Sequence, residues 1–258
     1  MFSSADIQAH LRHSLPEICL YDTTDSTNLR CKAMGERGAP EGTLVIAEHQ
    51  SAGRGRMGRT FFSPACTGLY MSLLLRPAIP PEKALYITTC AAVCVSEAIE
   101  ALSGRSAGIK WVNDVYLDGR KVCGILTEAA FDSAGTELRY AVLGIGVNVT
   151  APEKNFPPEL EKIAASVFGS TTEDLRPQLA AEIVNRFFDR YGHLADASFY
   201  DGYRDRLFLR NKPVQILWGN GSGEGICLDV DRDFRLIIRR EDGALQTISS
   251  GEVSVKPV

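Results

Sequence analysis

Much is missing from this chain. Its seven cysteines, at 19, 31, 66, 90, 94, 123 and 227, include no C-x-x-C pair, and its four histidines form no cluster at zinc spacing. Neither a structural zinc site nor a redox dithiol is therefore expected. An odd number of cysteines without a pairing pattern points to a reducing compartment, the cytoplasm. His10 and His13 form H-x-x-H on a short N-terminal helix, but without acidic company they read as a solvated face. No apolar run reaches bilayer-spanning length; residues 86–99 come nearest, and Glu97 among them marks a buried core helix. The opening residues lack a basic segment followed by an apolar core, so no signal peptide is expected. Lys and Arg number 28 against 32 Asp and Glu, a net charge of −4, which argues against a general nucleic-acid binder.

The most telling absence is local. From residue 49 through 81 there is no Asp or Glu, although the chain as a whole is acidic. Within this stretch, E-H-Q-S-A-G-R-G-R-M-G-R at 48–59 sets Arg54, Arg56 and Arg59 among Gly53, Gly55 and Gly58. Glycine lets backbone N–H groups approach an anion closely, and arginine adds forked donors for its oxygens. A solvated glycine-rich turn is the bland alternative. It is disfavoured because three arginines without acidic partners repel one another unless an anion joins them. Residues 53–58 formally match G-x-G-x-x-G, but T-F-F-S-P follows where a dinucleotide-binding helix should begin. No G-x-x-x-x-G-K-[ST] occurs, so a P-loop is excluded as well.

At 258 residues the chain can hold one large domain plus a small one. Hydrophobic periodicity predicts helices over 5–15, 83–102, 173–196 and 198–206. Strands are predicted over 20–23, 43–48, 69–76, 108–111, 115–117, 121–131 and 137–149. D-S-T-N at 25–28 reads as a helix N-terminus able to hold a polar ligand, and Asp118-Gly119 as a hairpin turn. Residues 152–170 read as a surface loop with one short helical patch. From residue 212 the texture changes to short β runs at 214–218, 225–230, 235–239 and 245–249, a small all-β appendage. Helices mixed with mostly non-alternating strands make the main part α+β. Lys121, at the start of an apolar strand, is on its own a solvated edge residue; beside the arginine loop and the Asn113–Asp114 pair it can instead face a phosphate or carboxylate. G-I-G-V-N-V at 144–149 is either a tight-packing strand or one wall of a site.

Taken in order, D-S-T-N at 25–28, E-H-Q-S-A-G-R-G-R-M-G-R at 48–59, F-S-P at 62–64, K-W-V-N-D at 110–114, G-R-K-V-C-G-I-L-T-E at 119–128 and G-I-G-V-N-V at 144–149 closely resemble biotin–protein ligases. The last part, with S-G-E-V-S at 250–254, resembles that family's C-terminal SH3-like barrel. The resemblance implies a central mixed sheet with packed helices, of the class II synthetase-like or biotin–lipoate ligase-like kind. It assigns residues 1–210 to the catalytic domain and 211–258 to the barrel. It implies two steps: biotin and ATP give biotinyl-5′-AMP and pyrophosphate, and a lysine of a biotin carboxyl carrier domain then takes the biotinyl group. ATP and Mg²⁺ are needed, with no tightly bound prosthetic group.

Residue by residue, the resemblance gives Ser26, Thr27 and Gln50 to the ureido head of biotin, adds Asn28 to the biotin-binding residues, and packs Trp111 on the bicyclic ring. Arg54, Gly55 and Arg56 cover the biotin carboxylate and α-phosphate, and Arg59 reaches the pyrophosphate side. Lys121 bridges carboxylate and phosphate oxygens and, with Arg54 and Arg56, is assigned to catalysis. Asn113, Asp114 and Asn148 line the nucleotide, with Asp114 as the Mg²⁺ ligand. The residues before Ser26 are too few for the helix-turn-helix that some family members carry, so a monofunctional enzyme without nucleic-acid or membrane partners is expected. Members occur as monomers and as dimers paired through the central sheet; the sequence leaves both open, with a homodimer the favoured alternative. Three departures stand out. Val112 replaces a usual proline, which leaves that turn less rigid. Phe61 stands where tryptophan is common. Asp233-Phe234-Arg235 replaces a glycine-bearing turn in the barrel and leaves its register open. A lipoate–protein ligase is the rival within the wider family; the polar Ser26, Thr27 and Gln50 favour a urea over a dithiolane. Two further rivals, a non-catalytic biotin sensor and a nucleotide-dependent oxidoreductase, are disfavoured by Lys121 and by the loop context respectively.

Overall fold

The computed structural model describes residues 2–152, 156–169, 173–218, 221–249 and 254–257. The chain begins with α1 (Ser4–Gln8), opened by a capping box in which Ser3 and Asp6 satisfy each other's backbone N–H groups. The expected helix over 5–15 stops at Gln8. Buried Asn185 accepts the N–H of Arg12 (2.7 Å) and donates to the carbonyl of His10 (2.9 Å), so the backbone groups that would extend the helix are taken elsewhere. His13 is occupied by Asp189 (2.7 Å), and among the described residues no group of three metal-binding side chains occurs.

There follow β1 (Ile18–Thr24), α2 (Thr27–Glu36), β2 (Leu44–Gln50), β3 (Gly68–Leu75), α3 (Leu85–Ser103), β4 (Gly108–Lys110), β5 (Asp114–Leu117), β6 (Arg120–Phe131) and β7 (Leu138–Asn148). These strands form one seven-stranded sheet in the order β1-β2-β3-β7-β6-β5-β4. Only β1 and β2 run parallel, joined by the α2 crossover, so the sheet is mixed. All eight residues of β3 are buried. It lies mid-sheet with a helix layer on each face, which explains its unbroken apolar run. Cys31 of α2 packs with Val45, Leu74, Tyr140 and Val142 on one face. On the other lie α3 and α5 (Arg176–Tyr191), the latter ending at Gly192.

With the turn before it, residues 81–103 form a helical stretch that is long and apolar enough to cross a membrane, contrary to the expectation from the sequence. The stretch is mostly buried, and α3 packs against α5, β4, β5 and β6, as a core helix does. Gly104 ends it in a left-handed conformation, φ 67°.

The hairpin between β5 and β6 turns through Asp118 (φ 48°) and Gly119 (φ 77°), the two positive values a type I′ turn requires. Next to it the β5–β6 register shifts: Tyr116 faces Lys121 while Val115 faces Cys123. This bulge turns Lys121 away from the buried row of Cys123 and Ile125. After β7 come α4 (Pro158–Glu161), α5 and α6 (Tyr200–Asp205).

The C-terminal strands are β8 (Pro213–Trp218), β9 (Gly221–Val230), β10 (Leu236–Arg240), β11 (Leu245–Ile248) and β12 (Ser254–Pro257), in an antiparallel sheet ordered β11-β10-β9-β8-β12. Only four of these strands are expected from the sequence, without β12, and β9 begins at Gly221 rather than 225. Residues 250–253 of the S-G-E-V-S stretch lie outside the described residues, as do 153–155 and 170 of the expected surface loop. Val214, Ile216, Cys227, Val230, Leu236 and Ile238 point inward and join the main core without a break. The register left open at 233–235 is now fixed. Val230 faces Leu236, with one shift between Ile237 and Ile238. Phe234 takes the left-handed conformation of the usual glycine (φ 59°) and buries its ring.

Candidate active site

Several strand ends meet at one edge of the large sheet. Thr24 pairs with Gln50 where β1 and β2 finish, Gly68 pairs with Asn148 where β3 starts and β7 finishes, and Cys123 pairs with Val147. The N-terminus of α2 lies there too. Between them opens a cleft of about 850 Å³ that all thirteen sequence-predicted residues line: Ser26, Thr27, Asn28, Gln50, Arg54, Gly55, Arg56, Arg59, Trp111, Asn113, Asp114, Lys121 and Asn148.

The inner part is polar and neutral, and its side chains are hydrogen-bonded to one another. Ser26, Thr27 and Asn28 are buried. The Gln50 carboxamide accepts from the N–H (2.9 Å) and hydroxyl (3.2 Å) of Thr27 and donates to Ser63 Oγ (2.9 Å). Ser72 donates to Asn28 Oδ1 (2.6 Å), and Asn28 Nδ2 donates to Glu128 Oε2 (2.8 Å). The α2 N-terminus is less open than its sequence suggests. Ser26 N–H is taken by Asp25 Oδ1 (2.8 Å), Thr27 N–H by Gln50, and the Ser26 hydroxyl makes no capping bond.

The arginine segment is a short hairpin over the cleft. Arg54 bridges Thr60, Gly55 N–H donates to the Arg59 carbonyl (2.7 Å), and Phe61 N–H donates to the Gly53 carbonyl (2.9 Å). Its tip turns through Met57 (φ 55°) and Gly58 (φ 73°). A side chain at Gly53 would collide with the Phe61 carbonyl and Ser63 Oγ, so the hairpin closes only on glycine.

One sequence expectation is corrected here: the arginines are not without acidic partners. Arg54 Nη1 lies 3.1 Å from Glu128 Oε1, which β6 brings across from far along the chain. Arg56 Nη1 donates to Asn113 Oδ1 (3.1 Å). Burial draws the Arg56 guanidinium below its ordinary pKa, with Asp114 and Tyr203 opposing that shift and Arg59 adding to it. Among the described residues the exposed Arg59 guanidinium meets neither a carboxylate nor a hydrogen-bond acceptor.

Lys121 Nζ lies 2.6 Å from Asp114 Oδ1, a charge-assisted contact inside the cleft. Its backbone is fixed from outside. Lys121 N–H donates to the Ile163 carbonyl and Ala165 N–H donates to the Lys121 carbonyl, both at 2.8 Å. The same segment holds Asn148, through Val167 N–H to its carbonyl (2.8 Å) and Asn148 Nδ2 to the Ala165 carbonyl (3.1 Å). Phe61 packs where Gly124 and Gly146 leave room; a Cβ on Gly146 would fall 2.6 Å from its ring. Trp111 is largely buried, and its indole N–H donates to the Phe234 carbonyl (2.8 Å). The Trp111–Val112 peptide bond is cis.

Sequence reasoning gave no role to Glu128, Ser63, Ser72 or the 163–167 segment. Ser72 carried a signal, a lone hydroxyl inside an apolar strand. Glu128 ended, and Ser63 stood inside, motifs already singled out. The 163–167 segment acts through its backbone, which leaves no residue signature.

An inner neutral pocket continuous with a cationic wall suits a molecule with a polar uncharged head and an anionic tail, beside a second anion. Such a cleft, on an α+β frame that carries a small C-terminal barrel, has the chemistry to hold two neighbouring anions. Residues 20–148 match the biotin/lipoate A/B protein ligase family, and residues 211–256 match the biotin protein ligase C terminal domain. The chain is 34% identical over 251 residues to the bifunctional ligase/repressor BirA of Bacillus spizizenii, covering 91% of this chain and 72% of that one. It is 31% identical to the biotin--[acetyl-CoA-carboxylase] ligase of Paracoccus denitrificans, over 89% of this chain and 97% of the relative. A biotin protein ligase from Aquifex aeolicus, solved with biotin and ATP, superposes with a TM-score of 0.77 at 26% identity, over 95% of this chain and all of that one. The chain belongs to the biotin/lipoate A/B protein ligase family.

Proposed function

We propose that this protein is a biotin–protein ligase: it activates biotin with ATP to biotinyl-5′-AMP and transfers the biotinyl group to a lysine of a biotin carboxyl carrier domain. The observation that carries the reading is the single cleft in which buried neutral groups run into a cationic wall that includes Arg54, Arg56, Arg59 and Lys121. Thr27 and Gln50, already exchanging hydrogen bonds, present donors and acceptors suited to a ureido ring, and Ser26 and Asn28 border them. A dithiolane would leave that polar surface unpaired, which disfavours lipoate. Trp111 supplies a flat apolar wall.

The chemical obstacle is the meeting of two anions. Arg54, Arg56 and the Gly55 region receive the carboxylate and α-phosphate, and Arg59 receives the pyrophosphate side. A carboxylate oxygen attacks the α-phosphorus, the bond to the bridging oxygen breaks, and pyrophosphate leaves. Lys121 stabilises the charge that builds on the phosphoryl oxygens. In the second step the carrier amine attacks the acyl carbon and AMP departs, with Lys121 again beside the phosphate. Asn113, Asp114 and Asn148 border the nucleotide.

Mg²⁺ prefers one or two carboxylates completed by phosphate oxygens and water. Asp114 fits that demand, since Lys121 engages one of its oxygens and the other accepts no hydrogen bond among the described residues. The ion would neutralise phosphate charge. We place the catalytic unit in residues 1–210 and the barrel in 211–258. The protein is assigned to the cytoplasm, in keeping with seven free cysteines. Pairing of two copies through the sheet would use β1, which has no outer ladder partner among the described residues. No nucleic-acid or membrane partner is included. Incubation with biotin, Mg²⁺ and ATP, followed by mass detection of biotinyl-AMP, tests the reading; product from lipoate but not from biotin overturns it.

A further inference from the structure

The two halves of the cleft are joined by one side chain to which nothing above assigns a role. Glu128 stands on β6 with its carboxylate partly buried between the neutral pocket and the arginine hairpin. One oxygen accepts from Asn28 Nδ2 (2.8 Å), and the other lies 3.1 Å from Arg54 Nη1.

These partners differ in their freedom. Asn28 is fixed: Ser72 donates to its oxygen (2.6 Å), the Leu126 carbonyl accepts a second, longer bond from its nitrogen (3.3 Å), and Gly144 packs against its carboxamide too closely for any side chain. Arg54 is half-exposed and flanked by Gly53 and Gly55. A carboxylate with one immobile and one releasable partner is a clamp with a fixed jaw.

We propose that Glu128 is a positioning residue: it fixes Asn28 in the head pocket and holds the Arg54 guanidinium over the cleft until a substrate anion takes it over. The identity of that anion rests on the ligase reading; the clamp itself does not. Glu128 never meets the reacting atoms. It sets where the head group binds and where the first arginine waits, so that the arm need not be ordered at the moment of reaction.

Two variants separate its two tasks. Glu128→Gln keeps an oxygen that can accept from Asn28 but turns an N–H donor, without charge, toward Arg54. Glu128→Ala loses both partners. The full chain without ligand is digested briefly with trypsin, and the peptide bond after Arg54 is followed by mass spectrometry. Cleavage is expected to be about 2–5-fold faster in both variants, the scale of an exposed ion pair. Biotin affinity without nucleotide is measured by calorimetry. Glu128→Ala is expected to weaken it by about 10-fold, the scale of one lost buried hydrogen bond, and Glu128→Gln to restore most of that loss. A purely structural role would not let one substitution rescue biotin binding while leaving Arg54 released.

Wild-type cleavage of Arg54 in Glu128→Gln overturns the hold on Arg54. Wild-type biotin affinity in Glu128→Ala overturns the hold on Asn28. If the unmutated protein binds no biotin, the ligase reading falls, and the trypsin comparison still decides the clamp.

Discussion

Gly144 offers a sharp test of how the head pocket is built. A Cβ there would run into Asn28 Oδ1. The backbone cannot retreat, because Gly144 pairs with Ser72 on β3 and Leu126 on β6 in mid-sheet. In Gly144→Ala the carboxamide must therefore turn away, breaking its bonds with buried Ser72 (2.6 Å) and part-buried Glu128 (2.8 Å). Each such bond is worth about 1 kcal/mol, and leaving a buried partner unmet adds about 1–3 kcal/mol. The backbone entropy gained by replacing glycine offsets about 0.5–1 kcal/mol. The net loss is about 2–4 kcal/mol, or about 5–15 °C in Tm for a chain of this size. Urea unfolding should show a lower midpoint at unchanged slope, and calorimetry should show weakened biotin binding. Gly192→Ala is the control: it caps α5 at φ −65°, and its Cβ would meet no atom within 4 Å. That variant should match or slightly exceed the parent in stability. A Gly144→Ala protein as stable as the parent, with unaltered biotin binding, would refute the reasoning.

Lys121→Ala should slow pyrophosphate release by about 100-fold, the scale of losing one donor to a developing oxyanion; parental turnover would remove Lys121 from the chemistry. Burial works to raise the Asp229 pKa, but hydrogen bonds from Arg204, Arg210 and the Val230 N–H outweigh it and hold the carboxyl below its usual range. Its folded pKa being depressed, its contribution is present above the unfolded value of about 3.9 and is lost as pH falls through the folded value. Urea unfolding should accordingly find Asp229→Asn less stable than the parent at pH 7, with the gap closing below about pH 4; a gap independent of pH would contradict this. Cys66 is the one exposed thiol, while burial pushes Cys31 and Cys227 up to about 12. A thiol reagent should modify one cysteine quickly in the folded protein and all seven after unfolding; several fast thiols in the folded state would count against the packing.

Much of this was legible in the order of residues, because apolar runs such as 69–76 and turn pairs such as Asp118-Gly119 encode their structure locally. The arginine-glycine run was readable for the same reason. What escaped depends on distant partners. Strand alternation puts Lys121 in register with Cys123 and Ile125, facing the core; only the bulge opposite Tyr116 turns it to the cleft. The partner of Arg54 lies 74 residues further on, and β6 must pair with β7 before Glu128 arrives beneath the hairpin. Likewise, α1 is cut short by Asn185, which no N-terminal pattern announces.

Phe234 has a bearing on how the protein is made. Its ring stacks on Phe199 at 5.2 Å and meets the edges of Tyr86 and Tyr203, while its carbonyl receives the Trp111 indole. A nascent chain emerging from the ribosome carries all thirteen sequence-predicted residues of the cleft by position 148, yet the acceptor for that indole is synthesised 86 residues later. The tryptophan wall thus waits on residues made long after it, and a product cut short before Phe234 would carry all thirteen of these side chains and lack the brace behind them.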